Sequence, residues 1–175
     1  SIMTTLYVNS STGNDSDDGS QAAPFKTITQ AVKKASAGDT VQLASGSYTD
    51  ASGEDFPLTV PYKVTLLGNE SNKGSGIVIS GGGEYISPVM ARQSVAILLE
   101  NEAQLRGVTA TNKSTRGTAV WIENGAPKIA NCSLLESNRE GVFVSGSAKP
   151  IVEKSVFQNN TGNGYQGSGT NNTGT

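Results

Sequence analysis

The sequence predicts an all-β solenoid, a right-handed single-stranded parallel β-helix of about five to six coils with an N-terminal capping α-helix. Three observations lead there. Pro127–Leu134 and Pro150–Phe157 repeat one pattern at an offset of 23 residues, namely a proline, an aliphatic residue, a small residue and then Leu or Phe. A degraded third copy, Leu105–Ala110, lies 24 residues ahead of Ile129–Leu134. Short β-branched runs alternate with Gly and Asn throughout, and Gly accounts for 21 of 175 residues. A repeat of this length cannot bury its inner face until the next coil stacks on it, which is the logic of a solenoid. Right-handedness follows the general rule for connections between parallel strands.

The elements follow in order. Leu6–Val8 reads as a short strand, and Asn9 to Ala23 as a polar loop. Pro24 suits a first helical position, and Phe25, Ile28, Val32 and Ala35 then recur at helical spacing up to Gly38, which predicts a helix over residues 24–37. Its amphipathic face is expected to lid the first coil, because an uncapped solenoid end exposes core and strand edges. From Asp39 the period becomes alternating: Thr40–Leu43, Leu58–Val60, Lys63–Leu67 and Ile77–Ile79 are strands punctuated by Gly or Pro. Gly81 to Ser94 reads as a loop leaving one corner, and the cleanest coils run from Val95 to about Tyr165. Residues 1–38 are thus strand, loop and cap, 39–166 the β-helix, and 167–175 a Gly/Ser/Thr/Asn tail expected to be a flexible linker. Ser1 and Ile2 before Met3 read as an added remnant, and the chain as a piece of something longer.

Composition excludes several chemistries. Net charge is −2 with 13 scattered basic residues, so there is no electrostatic footprint for nucleic acid. The longest apolar run, Val95–Leu99, is far short of a membrane span. No His is present, which removes Ser-His-Asp catalysis, His-ligated metals and the usual neutral-pH base. The single Cys132 allows no internal disulfide and falls at a repeat position held by Val108 and Ser155, the place of a small core residue. No cofactor and no metal is expected.

The N-terminal third carries a family resemblance. Gly13-Asn-Asp15, Gly19-Ser20, Pro24–Ile28, Ala31-Val32, Ala35, Gly38–Val41 and Gly46–Tyr48 resemble the opening of domain of unknown function 1565, among the pectin-lyase-like right-handed β-helices. The same opening resembles one family of calcium-dependent pectate lyases. The likeness covers residues 6 to 80 well, while 95 to 165 match only the generic β-helix repeat. It implies the fold and an extracytoplasmic setting, and a shared fold does not imply catalysis. Lyases of this shape hold calcium with Asp carboxylates on an outer sheet beside a basic residue. Here Asp15, Asp17, Asp18, Asp39, Asp50 and Asp55 all precede Phe56, so Lys128, Lys149 and Lys154 have no Asp cluster to work with.

Four constellations remain. The acidic loop Asn14–Gly19 lacks EF-hand spacing and a closing Glu, and its Gly13 and Asp15 suggest a turn that orients the helix, with a bound cation as the alternative. Glu100 and Glu123 align 23 residues apart in successive coils about 4.8 Å apart, near the ~5–5.5 Å of a retaining glycosidase pair; their neighbouring Asn residues favour solvated turns. Asn112, Asn138 and Asn160 recur at spacings of 26 and 22, which suggests a stacked corner ladder of buried amides. Inward Val120, Ile122, Val142 and Val144 turn Trp121 and Phe143 outward, with Leu98 before them in the same column. Tyr165 extends that column by spacing, although matching Gly141 with Gly164 places it inside. An exposed row of this kind stacks on sugar rings or a partner; the competing reading has the 81–94 loop or a neighbouring domain covering it.

The sequence therefore points to a non-catalytic extracellular or cell-surface module that scaffolds or binds polysaccharide, with Leu98, Trp121 and Phe143 as its candidate platform. A polysaccharide lyase or hydrolase is the first alternative and a module stacking end to end the second.

Overall fold

Stacking decides the architecture, because each strand is too short to be stable alone and gains partners only from the coils above and below. A computed structural model describes residues 2–162, 165–167 and 170–172. Strand β1 (Thr5–Val8) precedes helix α1 (Ile28–Lys34). The first coil is β2 (Thr40–Leu43), β3 (Gly46–Thr49) and β4 (Leu58–Val60). The second is β5 (Thr65–Leu67), β6 (Ile77–Ser80), an inserted β7 (Gly83–Ser87) and β8 (Ala91–Leu99). Coil three is β9 (Gln104–Arg106), β10 (Thr109–Thr111) and β11 (Gly117–Ile122), and coil four is β12 (Lys128–Ala130), β13 (Ser133–Leu135) and β14 (Val142–Val144). The fifth is β15 (Ile151–Glu153), β16 (Val156–Gln158) and β17 (Tyr165–Gly167), and β18 (Thr170–Asn172) follows.

Three parallel sheets form the walls: β1-β2-β5-β9-β12-β15, β3-β6-β10-β13-β16, and β4-β8-β11-β14-β17. This is the expected parallel β-helix, and its five coils match the number read from the repeat. The core is a set of stacked columns. Leu6, Val41, Leu66, Leu105, Ile129 and Val152 line the first wall. Tyr48, Ile79, Ala110, Leu134 and Phe157 line the second. Leu58, Ile97, Val120 and Val142 line the third. Register matters because a one-residue slip would turn every such column to solvent.

Corners need special backbone. Between the first two walls, Gly107, Asn131 and Lys154 follow one another in successive coils with φ of 65°, 53° and 53°. At Gly107 a Cβ would lie 2.6 Å from the backbone of Asn69, so only glycine fits there. One step further, Cys132 sits inside between Val108 and Ser155, as its repeat position required. Burial pushes its thiol up to about 11, which leaves it protonated and inert.

The cap differs in detail from expectation. The helix is seven residues long rather than spanning 24–37, and Thr27 rather than Pro24 begins it, accepting a hydrogen bond from Gln30 N–H. Phe25 is instead extended, bridging Val8 and lying fully inside. Two carboxylates hold the start of α1. Asp15 accepts from the N–H groups of Lys26 and Thr27 and from the Thr27 hydroxyl. Glu54 accepts from the N–H groups of Ile28 and Thr29 and from the Thr29 hydroxyl. The acidic loop thus contains a turn that orients the helix, and Ile28 and Ala31 close over the first coil with Val8 and Phe25.

Two other segments depart from the reading. Residues 81–94 are not an irregular loop: β7 pairs antiparallel with the first half of β8, from Gly83 with Val95 to Ser87 with Ala91. In the tail, Thr170–Asn172 pairs antiparallel with β17 where a linker was expected, while residues 168, 169 and 173–175 of that linker lie outside the described residues.

Candidate functional site

The third wall carries the expected platform, and the register is as read: Leu98 pairs with Trp121, and Trp121 with Phe143. All three belong to the outer column. Trp121 and Phe143 stack with ring centroids 4.3 Å apart and planes 10° apart, a favourable geometry. Yet the face is not open. Trp121 is 1% exposed and Phe143 8%, because Tyr85 of the hairpin leans on Trp121 at 6.3 Å and Val95 and Leu98 complete a small second core. The competing reading holds: the 81–94 excursion covers the aromatics, and Leu98, Trp121 and Phe143 offer no solvent-facing platform. In backbone register Tyr165 pairs with Val142 and Gln166 with Phe143.

The edges of this small core are polar. Trp121 Nε1 donates to Glu123 Oε1 at 2.8 Å, so Glu123 is held by the indole rather than freely solvated. Burial, and then the nearby Glu123 carboxylate, push the Tyr85 hydroxyl up to about 12. Glu100 and Glu123 do lie in adjacent coils, both half-buried. On the opposite edge Arg139 lies over Phe143 at 5.6 Å, and its Nη1 donates to Gln93 of the hairpin at 2.7 Å. Its Nε lies 2.8 Å from Glu140 Oε1.

The corner ladder needs correction. Asn112 is fully buried; its amide donates to Thr118 O at 3.1 Å and Ser94 Oγ at 3.2 Å and accepts from Ser114. In the next coil the aligned residue is Ser137, whose Oγ accepts from Asn112 N–H and whose N–H donates to Asn160 Oδ1. Asn138 stands one place further on, exposed, donating to Lys113 O and Ser114 O. The column is Asn112–Ser137–Asn160. Coil lengths of 25 and 23 at this corner, rather than 26 and 22, put a serine in the middle, which spacing between Asn residues could not show.

Where the hairpin leaves this corner, it forms an open groove of about 690 Å³. Gly82, Gly83 and Glu84 form one side, Met90 and Arg92 to Ser94 the second, and Ser114 to Arg116 the third. The Ser94 and Ser114 hydroxyls meet at 2.7 Å in its wall, and Arg92 pairs with Glu84 at 3.1 Å on its rim. It offers hydroxyls, an amide, two guanidiniums, one carboxylate and the apolar side of Met90. Sequence reading missed it, because Ser114–Arg116 and Glu84–Ser94 are brought together only by the hairpin. Among the described residues no three His, Cys, Asp or Glu side chains converge as metal ligands.

A family model described as "Protein of unknown function (DUF1565)" matches residues 11–174. The chain belongs to the DUF1565 family. A DUF1565 chain of this kind is similar to the uncharacterized protein YwoF of Bacillus subtilis (strain 168), 28% identical over 153 residues. That alignment covers 85% of this chain and 27% of YwoF, so the chain spans about a quarter of its relative's length. No solved structure matches it.

Proposed function

We propose that this DUF1565 chain is a non-catalytic β-helix module of a larger extracellular or cell-surface protein, in which the stacked coils are a rigid scaffold and the hairpin groove binds polysaccharide. The observation that carries this reading is the groove itself. It is open, lined by hydrogen-bonding side chains of both senses with one apolar patch, and built on a strand and corner fixed by the buried Asn112 network. Polyhydroxylated chains suit such a lining better than flat apolar ligands do. The extracellular setting is supported by the N-terminal resemblance to secreted β-helix families. A catalytic role is disfavoured by Glu123, whose carboxylate is engaged by Trp121.

Affinity electrophoresis through gels containing soluble polysaccharides tests this reading. Retardation in at least one polysaccharide is expected, and Arg116→Gly together with Arg92→Ala should reduce it while leaving the far-UV spectrum unchanged. Gly is chosen at 116 because Arg116 has φ of 55°. Equal migration of wild type and double variant in every gel would end the proposal.

A further inference from the structure

A smaller cavity on the first wall has a lining whose polar groups are already oriented. It measures about 280 Å³ and lies between the ends of β1 and β2 and the segment from Gln21 to Pro24. Tyr7 and Gln42 are paired in register there, one residue beyond inward-facing Leu6 and Val41, and Asn9 lines the same cavity. Both amides are fixed by the backbone around them. Gln42 Nε2 donates to the carbonyls of Leu43, Leu67 and Gly68 at 3.3, 3.1 and 3.2 Å, which identifies the nitrogen and leaves Oε1 as an acceptor. Asn9 Oδ1 accepts from the N–H groups of Ser11 and Thr12 and from the Ser11 hydroxyl, which leaves Nδ2 as a donor. Among the described residues Gln42 Oε1, Asn9 Nδ2 and the Tyr7 hydroxyl have no hydrogen-bond partner, and no carboxylate, ammonium or guanidinium lines the cavity.

We propose that this cavity binds one neutral sugar unit, with Gln42 Oε1 accepting from one ring hydroxyl, Asn9 Nδ2 donating to another, and Tyr7 against the C–H face of the ring. A sugar hydroxyl both donates and accepts, so hydroxyls of one ring satisfy an acceptor and a donor that are already held in place. The volume is just below the ~300 Å³ at which pockets for drug-sized ligands begin, which suits a single ring. The uncharged lining disfavours acids and amines, whose desolvation it cannot offset. A peptide strand is disfavoured as well, because the backbone here is already paired. Tyr7 N–H donates to Gly19 O, Tyr7 O accepts from Phe25 N–H, and Asn9 N–H donates to Phe25 O, so no open edge remains for an added strand. The cavity belongs to the first wall and the hairpin groove to the third, so this site stands independently of what that groove binds.

Saturation-transfer NMR on the intact chain tests this, with the methyl glycosides of glucose, galactose, mannose and N-acetylglucosamine as probes. Saturation should reach the ring protons of at least one glycoside. Ala44→Leu fills the cavity from its lining without removing any of the three polar groups, and Tyr7→Ala removes the ring face. Each should weaken the apparent affinity about tenfold or more, the loss that follows from deleting an anchoring contact. The Arg116→Gly, Arg92→Ala double variant should keep wild-type transfer, which separates this site from the hairpin groove. Absence of transfer to all four glycosides would overturn the proposal, as would transfer undiminished in Ala44→Leu or lost in the arginine double variant. Transfer to an N-acetyl dipeptide amide in place of every glycoside would overturn it in favour of a peptide. Should Tyr7→Ala fail to fold, Ala44→Leu decides.

Discussion

Replacing Asn112 by Ala should be among the most damaging single changes in the domain, although it removes only one polar side chain. Asn112 is fully buried, and its amide satisfies the Thr118 carbonyl and the Ser114 N–H as well as two serine hydroxyls. The hydroxyls are not stranded, since Ser94 and Ser114 already meet each other at 2.7 Å. The Thr118 carbonyl is stranded, and a buried group left unpaired costs about 1–3 kcal/mol. Loss of the Ser114 N–H bond adds about 1 kcal/mol. The sum is about 2–4 kcal/mol for Asn112→Ala. Asn138→Ala, one place along the same corner, removes two bonds from an exposed amide that water can replace, and should cost under about 1 kcal/mol. Urea unfolding curves with unchanged m-values measure both. Asn112→Asp adds a check, because it keeps the acceptor for Ser114 but removes the donor for Thr118 and buries a charge, so it should be no milder than Ala. Equal costs at 112 and 138, or a cost at 112 below about 1 kcal/mol, would refute the Asn112–Ser137–Asn160 column as a stabilising device.

Leu105→Ala, in the middle of the first wall, should cost about 2–5 kcal/mol in the same assay, since coils on both sides prevent collapse of the cavity. The Cys132 thiol, buried and pushed up to about 11, should resist a disulfide reagent in the native state and react only as fast as the chain unfolds. Glu140 has a raised carboxyl, so the folded state holds its proton more tightly than the unfolded chain does. Its contribution is fullest below the ordinary Glu range and is lost as pH rises through the folded value. Glu140→Gln should therefore gain in Tm relative to wild type as pH is raised from about 4 to 7, and a constant difference would contradict this. No unsaturated uronide should appear on incubation with polygalacturonate and calcium, and any absorbance rise would revive the lyase reading.

The repeat was legible because a β-helix writes its core into one column per wall. Leu105, Ile129 and Val152 are spaced by the coil length, and no other arrangement buries them together. Cys132 between Val108 and Ser155 was legible for the same reason. The outward column of Leu98, Trp121 and Phe143 could also be read, because alternation along a strand is a local property. Whether that column meets water is not local. Only pairing of Gly83–Ser87 with Ala91–Val95 brings Tyr85 over the indole, and Trp121 reaches it from the next coil, through the pairing of β11 with β8. The Asn corner failed similarly, since coils of unequal length let Ser137 rather than Asn138 fall into register, and register is settled by wall packing. Helix α1 shows the same division. Its amphipathic face was read from the spacing of Phe25, Ile28, Val32 and Ala35, of which only Ile28 and Val32 lie within the helix, and its start was decided by Asp15 and Glu54, 12 and 26 residues away along the chain. Periodicity along the chain sets which residues can share a face. Which faces are covered, and which polar groups find partners, is decided where separate coils touch.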